Sequence, residues 1–246
     1  MKRLLAAALL AAPATLIAQG PSPEVRAALA SPTRPAADTA RDVARKPGAF
    51  IAFAGIKPGM KVADYIMGGG YWTRILSGVV GPRGKVYAYQ PAEFIGFRAA
   101  YGTEQDDAVK GRANVVPLRP GIGALAFPEP LDAIITVQNW HDLHLKVSGA
   151  TTGSLVARQL YAALKPGGTL VVADNASAAG TGFTVADTLH RAEGAAVRKE
   201  IEAAGFRYDG ETKLWANPAD PHDKIVFDPS IRGKADQFAY RFRKPK

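Results

Sequence analysis

The chain has 246 residues, a formal net charge of +9 and no cysteine. The absence of cysteine excludes a disulfide scaffold, a thiolate metal site and a cysteine nucleophile. With 47% hydrophobic and 22% charged residues, the composition excludes a disordered chain and provides enough apolar surface for one packed domain. The basic residues are scattered along the chain, so we do not expect a nucleic-acid partner.

The first 18 residues have the pattern of a secretory signal peptide. Lys2 and Arg3 precede an apolar run over 4–18, which is shorter than the roughly 20 residues that a membrane-spanning helix needs. Removal of this segment leaves a net charge of +7. We therefore expect a signal peptide over 1–18, a Pro/Ala-rich lead-in over 19–37, one domain over 38–246, a periplasmic location and no membrane anchor.

The rest of the chain alternates between helical and strand patterns. Helices are predicted over 38–56, 71–80, 154–164 and 184–204. Strands are predicted over 61–66, 84–89, 114–118, 131–137, 169–174, 206–215 and 238–242. The alternation predicts an α/β fold with a doubly wound, mostly parallel sheet, in which ligands bind beyond the carboxyl ends of the strands.

Three consecutive glycines follow the first predicted strand. Gly68, Gly69 and Gly70 permit a sharp turn and a close approach of the backbone to a ligand. The helix that begins after them presents free amide groups, which favour electron-rich or anionic groups. The loop is therefore a candidate binding site.

This loop, the strand at 85–89 and the Leu-Lys-Pro-Gly-Gly-Thr-Leu block at 164–170 resemble class I S-adenosylmethionine-dependent methyltransferases. More narrowly, the chain resembles a secreted, predicted-methyltransferase subgroup in the motifs at 139–143, 189–191, 203–206, 217–220 and 232–238. The resemblance implies a Rossmann-like, seven-stranded sheet and methyl transfer from S-adenosylmethionine to a small molecule. It implies that the cofactor is bound by Asp64, Gly68, Gly69, Gly70 and Gln90.

Two positions depart from that family pattern. Ile66 stands where the family usually has glycine, and Gln90 stands where it usually has an acidic residue that binds the ribose hydroxyls. A glutamine binds a hydroxyl less strongly than a carboxylate does. These departures keep a reaction without the cofactor open.

A polar segment with two histidines, Gln138 to His144, follows the apolar strand 131–137. Histidine titrates near neutral pH and serves as a general acid or base. The predicted catalytic residues are His141, Asp142, His190 and Arg191, with Arg191 holding a phenolate or carboxylate. The predicted substrate-binding residues are Tyr71, Asn139, Trp140, Asp174 and Asn175. The sequence has no thiolate and no H-E-x-x-H pattern, so we expect no metal.

Three functions remain open from the sequence. The first is methyl transfer from S-adenosylmethionine. The second is a cofactor-independent lyase that abstracts a proton and cleaves a carbon–carbon bond, for example releasing formaldehyde from an aromatic substrate. The third is a binding protein for a small ligand. The expected partner is a small molecule, with an aromatic compound as one option, and the sequence leaves a homodimer open.

Overall fold

The computed structural model describes residues 20–246, so the predicted signal peptide lies outside the described residues. Seven strands form one sheet in the order β3-β2-β1-β4-β5-β7-β6. The strands are β1 Lys61–Tyr65, β2 Lys85–Tyr89, β3 Val115–Leu118, β4 Leu131–Val137, β5 Leu164–Asn175, β6 Arg207–Glu211 and β7 Gln237–Arg243. Strand β7 runs antiparallel to its two neighbours, and the five strands on the other side pair in parallel. The predicted α/β class and mostly parallel, seven-stranded sheet are confirmed.

Helices flank this sheet within residues 20–246. They are α1 Pro23–Leu29, α2 Ala36–Thr39, α3 Asp42–Arg45, α4 Pro47–Ala54, α5 Tyr71–Val80, α6 Ala92–Phe97, α7 Ala100–Val109, α8 Thr152–Ala163, α9 Ala186–Leu189 and α10 Gly194–Ala203. In this part of the chain no helix is both long enough and apolar enough to cross a bilayer.

The centre of the sheet is buried on both faces, as parallel strands require. Strand β1 pairs with β2 on one side and with β4 on the other, and β4 pairs with β5. Ile134 and Ile135 point to opposite faces of the sheet, and both are fully buried. The carboxyl ends of β1, β4 and β5 therefore lie side by side at one edge, which is where the candidate site forms.

The segment before the first strand is part of the packed structure. Val25 and Ala28 of α1 are buried and belong to the core on one face of the sheet. A Cβ at Gly78 of α5 would lie 2.7 Å from the Ala28 Cβ, so glycine lets the two helices approach closely. Residues of the predicted lead-in thus contribute to the core.

Two long predicted helices are wrong, because each contains a residue with left-handed backbone. The prediction over 38–56 is divided into α2, α3 and α4, and Lys46, at φ +45°, precedes Pro47 at the start of α4. The prediction over 184–204 is interrupted at His190, at φ +53°. Apolar residues recur at helical spacing in both segments. Tertiary packing nevertheless makes the chain turn partway along each segment.

Candidate functional site

The glycine loop connects β1 to α5 through backbone that few residues adopt. Gly68 has φ +54° and Gly70 has φ +77°, so both lie in the left-handed region that favours glycine. A Cβ at Gly70 would overlap the Cβ of Ala108 on α7. Ile66 has φ +59°, which is an outlier for a β-branched residue. The left-handed turn therefore accounts for glycine at both positions, and packing against Ala108 is a further reason for glycine at position 70.

Asp64 holds the beginning of α5 in place. Its Oδ2 accepts a hydrogen bond of 2.6 Å from Thr73 Oγ1. Burial outweighs this hydrogen bond and raises the pKa of Asp64 to about 6. Asp64 also forms part of the wall of a small cavity at the loop. Its carboxylate is nevertheless occupied by the hydrogen bond from Thr73.

Gln90 lies behind the loop and is fully buried. Its Oε1 accepts a hydrogen bond of 2.9 Å from the Gly68 backbone N–H. Its Nε2 has no hydrogen-bond partner within residues 20–246. Gln90 is not among the residues that line the cavity, so the predicted ribose-binding group supports the loop instead.

The cavity in front of the loop is small and is covered by the N-terminal helices. Its volume is about 140 Å³, whereas small-molecule sites usually measure about 300–1,000 Å³. Arg41 and Arg45 line it, and their guanidinium carbons lie 5.0 and 4.6 Å from the centre of the Tyr71 ring. The Tyr71 hydroxyl donates to Asp42 Oδ1 at 2.7 Å. Tyr71 is therefore packed against α3, and sequence reasoning missed both arginines because no local motif marks them.

A second group of polar side chains lies at the ends of β4 and β5. We call His141, Asp142, Asp174 and His190 the histidine cluster. Asp174 is fully buried, and it accepts from the His141 backbone N–H at 2.7 Å and from His141 Nδ1 at 2.8 Å. This pair of bonds fixes the His141 ring and leaves Nε2 facing the rest of the cluster. Asp174, predicted to bind substrate, instead orients a histidine.

Three atoms of the histidine cluster face one another. His141 Nε2 lies 3.3 Å from Asp142 Oδ1 and 3.3 Å from His190 Nδ1, and the last two atoms are 4.0 Å apart. The side chains of His141, Asp142 and His190 are 5%, 17% and 28% exposed. His190 and Asp142 are therefore the members that a molecule arriving from solvent meets first.

The cluster shifts the pKa values of its members in different directions. Burial alone lowers the pKa of His141, but the charge and hydrogen bond of Asp174 outweigh burial and raise that pKa to about 9. Burial raises the pKa of Asp142 to about 6 despite the nearby His141 charge. Burial and the His141 charge lower the pKa of His190. Such divergence within one group is typical of acid–base sites.

Backbone geometry at the strand ends directs these side chains inward. Gln138, the first residue after β4, has φ +63°, and the chain then forms a short 3-10 helix over His141–His144. His190 caps the end of α9 in the left-handed region at φ +53°. Strained positions of this kind concentrate at functional sites, and Ile66, Gln138 and His190 all lie near the carboxyl edge of the sheet.

Arg191 has a structural position rather than the predicted catalytic one. Its side chain is fully buried and forms an ion pair with Asp220, at 2.8 and 3.1 Å. The guanidinium also donates to the backbone oxygens of Ala176 and Lys224. No donor of Arg191 is directed to the histidine cluster, so it is not placed to hold a substrate anion.

The remaining predicted substrate-binding residues are used within the protein. Trp140 is fully buried, and its Nε1 donates to Glu200 Oε2 at 3.0 Å. Asn139 lines the cavity, and its Nδ2 donates to the backbone oxygens of Ile66 and Val137. Asn175 Nδ2 donates to the His190 oxygen at 3.2 Å. Asn139 thus connects the ends of β1 and β4, Asn175 connects the end of β5 to the turn at His190, and Trp140 is a core residue.

No family model and no curated protein matches this sequence. Solved structures do match. A SAM-dependent methyltransferase from Aquifex aeolicus superposes with a TM-score of 0.58 at 22% identity, over 85% of this chain and 95% of that chain. The class I methyltransferase fold is shared. The [4+2]-cyclase SpnF matches with a TM-score of 0.54 at 16% identity, over 85% of this chain and 81% of its own. A possible exported protein from Bordetella parapertussis matches with a TM-score of 0.54 at 15% identity, over 84% and 68%.

Structural matches at this level of sequence identity establish the fold. The reaction has to be argued from the residues of the site. In this methyltransferase fold, the groups at the glycine loop do not fit S-adenosylmethionine. The Gln90 amide is enclosed behind the loop, its oxygen is bound to Gly68, and the cavity is below the usual size for a ligand of this kind. The side chains of Ile66 and Met67 are buried at the turn. We therefore assign no reaction step to this cofactor.

Proposed function

We propose that this protein is an enzyme that acts on a small molecule by proton transfer at the histidine cluster, without S-adenosylmethionine. The observation that carries the proposal is the placement of His141 between two carboxylates and against His190. The cluster lies at the carboxyl edge of the sheet, where α/β proteins bind their ligands. Two imidazoles and two carboxylates at such an edge provide an acid–base pair.

Each member of the cluster has a distinct role in this proposal. Asp174 keeps Nδ1 of His141 protonated, and His141 in its charged form donates from Nε2 toward Nδ1 of His190. Neutral His190 then carries its proton on Nε2, from which it donates to a developing oxyanion. Asp142, whose pKa is raised to about 6, accepts the substrate proton. Asp142 and His190 are therefore the catalytic residues, and His141 and Asp174 position them.

A retro-aldol cleavage fits these roles. Asp142 removes the proton of a hydroxymethyl group, the carbon–carbon bond breaks, and formaldehyde leaves. The electron pair moves onto an adjacent carbonyl or aromatic ring, whose oxyanion His190 stabilises, and a proton then returns to carbon. This is a lyase reaction on a small molecule, for which hydroxymethyl-bearing aromatic compounds are the first substrates to test.

Methyl transfer is the second candidate, and the fold that the chain shares with a SAM-dependent methyltransferase favours it. Equilibrium binding separates the two. Calorimetric titration of residues 20–246 with S-adenosylmethionine should show no binding up to millimolar concentration. Binding in the micromolar range would overturn the first proposal and support the second. Release of formaldehyde from a hydroxymethyl-bearing substrate, detected with a trapping reagent, would support the first proposal.

We also propose that the protein is exported. The basic start and apolar run over 1–18 support export, and the fold is shared with a possible exported protein. Fractionation of cells that express the full chain tests this: the shortened protein should appear outside the cytoplasm. Light scattering of the purified protein tests the homodimer that the sequence leaves open.

A further inference from the structure

We propose that His141 Nε2, Asp142 Oδ1 and His190 Nδ1 bind a divalent transition-metal ion. These three donor atoms all lie within 4.8 Å of one another. They come from two separate parts of the chain, the loop after β4 and the break between α9 and α10. This assignment is opposite to the sequence-based expectation that the protein has no metal site.

The spacing of the three atoms matches a metal-binding geometry. With bonds of about 2.0–2.2 Å to nitrogen and oxygen, the ligand atoms of a tetrahedral zinc ion lie roughly 3.3–3.6 Å apart. The two distances from His141 Nε2 are both 3.3 Å. The distance from His190 Nδ1 to Asp142 Oδ1 is 4.0 Å, so a small rotation of the half-buried His190 side chain completes the site.

Asp174 supplies the outer contact that metal-binding histidines usually have. A histidine ligand generally donates its second ring N–H to a carboxylate or carbonyl oxygen, which fixes the tautomer and the ring orientation. Here His141 Nδ1 lies 2.8 Å from Asp174 Oδ1. Because this bond holds the Nδ1 proton, Nε2 is the ring nitrogen that binds the cation, and binding displaces the Nε2 proton of charged His141.

The charges around the site favour a cation. The Asp142 and Asp174 carboxylates flank His141. Within residues 20–246, the Asp142 carboxylate forms no ion pair with a lysine or arginine, and the ionisable side chains beside it are His141 and His190. Arg191 directly follows His190 in the sequence, but its guanidinium is paired with Asp220. The site therefore carries negative charge that a divalent ion would neutralise.

The ligand set points to a class of metal. Two imidazoles and one carboxylate bind zinc in catalytic sites and iron(II) in facial triads, and both arrangements leave positions open for water or substrate. Those positions would lie on the side where His190 is exposed. The inference deepens the proposed function and rests on the same cluster: His141, Asp142 and His190 would hold the ion, and the ion would supply Lewis-acid polarisation of the substrate oxygen.

Binding is tested on the purified protein, which carries no histidine tag and is freed of metal by chelation. Zn²⁺ is titrated by calorimetry, and Co²⁺ by visible absorption, which reports the coordination geometry. We expect one equivalent of metal to bind at micromolar concentration or below. His190→Ala and Asp142→Asn should each weaken binding at least 10-fold, and Asp174→Asn should weaken it by about 10–100-fold.

The matched control is His222→Ala. His222 Nε2 also contacts a carboxylate, that of Asp236, at 3.0 Å, but it lies outside the three-residue group. This variant should bind both metals as the parent does, and circular dichroism checks that every variant is folded. Absence of binding below millimolar concentration would overturn the inference, as would binding that His190→Ala and Asp142→Asn leave unchanged.

The inference and the proposed function fail separately. Stoichiometric metal binding with no formaldehyde release leaves the metal site in place and removes the lyase proposal. Formaldehyde release by a protein that binds neither Zn²⁺ nor Co²⁺ supports the proton-transfer mechanism and removes the metal site.

Discussion

The glycine loop and the histidine cluster lie at the same edge of the sheet, yet they use their polar groups differently. At the glycine loop, Asp64 bonds to Thr73, the Gln90 oxygen bonds to Gly68, and Tyr71 bonds to Asp42. In the histidine cluster, two ring nitrogens and a carboxylate oxygen face one another. The comparison teaches that polar groups at one strand end can be used up in supporting a turn, while those at neighbouring strand ends remain directed at one another.

The largest expected effect is on turnover. His190→Ala and Asp142→Asn should each lower formaldehyde release by about 100–10,000-fold, because each removes one partner of the acid–base pair. The measurement is the initial rate with trapped formaldehyde as readout. His222→Ala is the control and should retain the parent rate. Parent-like rates in both cluster variants would mean that the cluster is not the reactive region.

The next prediction tests whether Arg191 has a structural role, in contrast to the catalytic role proposed for its neighbour His190. Arg191→Met should lower the free energy of unfolding by about 3–5 kcal/mol, because it leaves the buried Asp220 carboxylate without its partner. Urea unfolding followed by circular dichroism measures this loss. Arg198→Ala removes an exposed pair with Glu202 and should change stability by at most about 1 kcal/mol. Equal stability of the Arg191 variant and the parent would refute the structural role.

A third test asks whether the glycine loop serves packing. Gly70→Ala should cost about 1–2 kcal/mol for its left-handed backbone and a further 1–3 kcal/mol for overlap with Ala108. Gly111 has a similar φ of +72° and open space at its Cβ position, so Gly111→Ala should show only the first cost. Equal losses of unfolding free energy in the two variants would argue against the packing explanation.

The smallest effect concerns Asp64 and depends on pH. Its pKa is raised from 3.8 to about 6 in the folded protein, so between these values the folded state binds more protons than the unfolded state. Stability contributed by Asp64 is therefore lost as pH rises from about 4 to 6. Asp64→Asn, which keeps an acceptor for Thr73, should raise the melting temperature relative to the parent more at pH 8 than at pH 4.

The control for this test is Asp107→Asn, at an exposed position of α7. Its melting temperature should follow that of the parent at both pH values. A constant difference between Asp64→Asn and the parent across this range would show that the Asp64 carboxyl does not titrate there.

The sequence by itself determined the sheet and the edge at which the candidate site lies. Parallel strands are buried on both faces, so β1, β4 and the apolar part of β5 are rich in apolar residues and can be recognised locally. The polar segment after β4 and the glycines after β1 marked the edge at which the histidine cluster lies. His141, Asp142 and His190 were named from the sequence, and the structure brings them together.

Only the tertiary structure decided what each polar residue contacts. Arg191 and Asp220 are 29 residues apart in sequence, and His141 meets His190 across 49 residues, so no local pattern reveals which partner a side chain takes. His190 was predicted inside a helix, and the left-handed turn that aims its ring at His141 arises from packing. Hydrogen-bond partners fix whether a polar group is structural or reactive, and those partners are set by the fold.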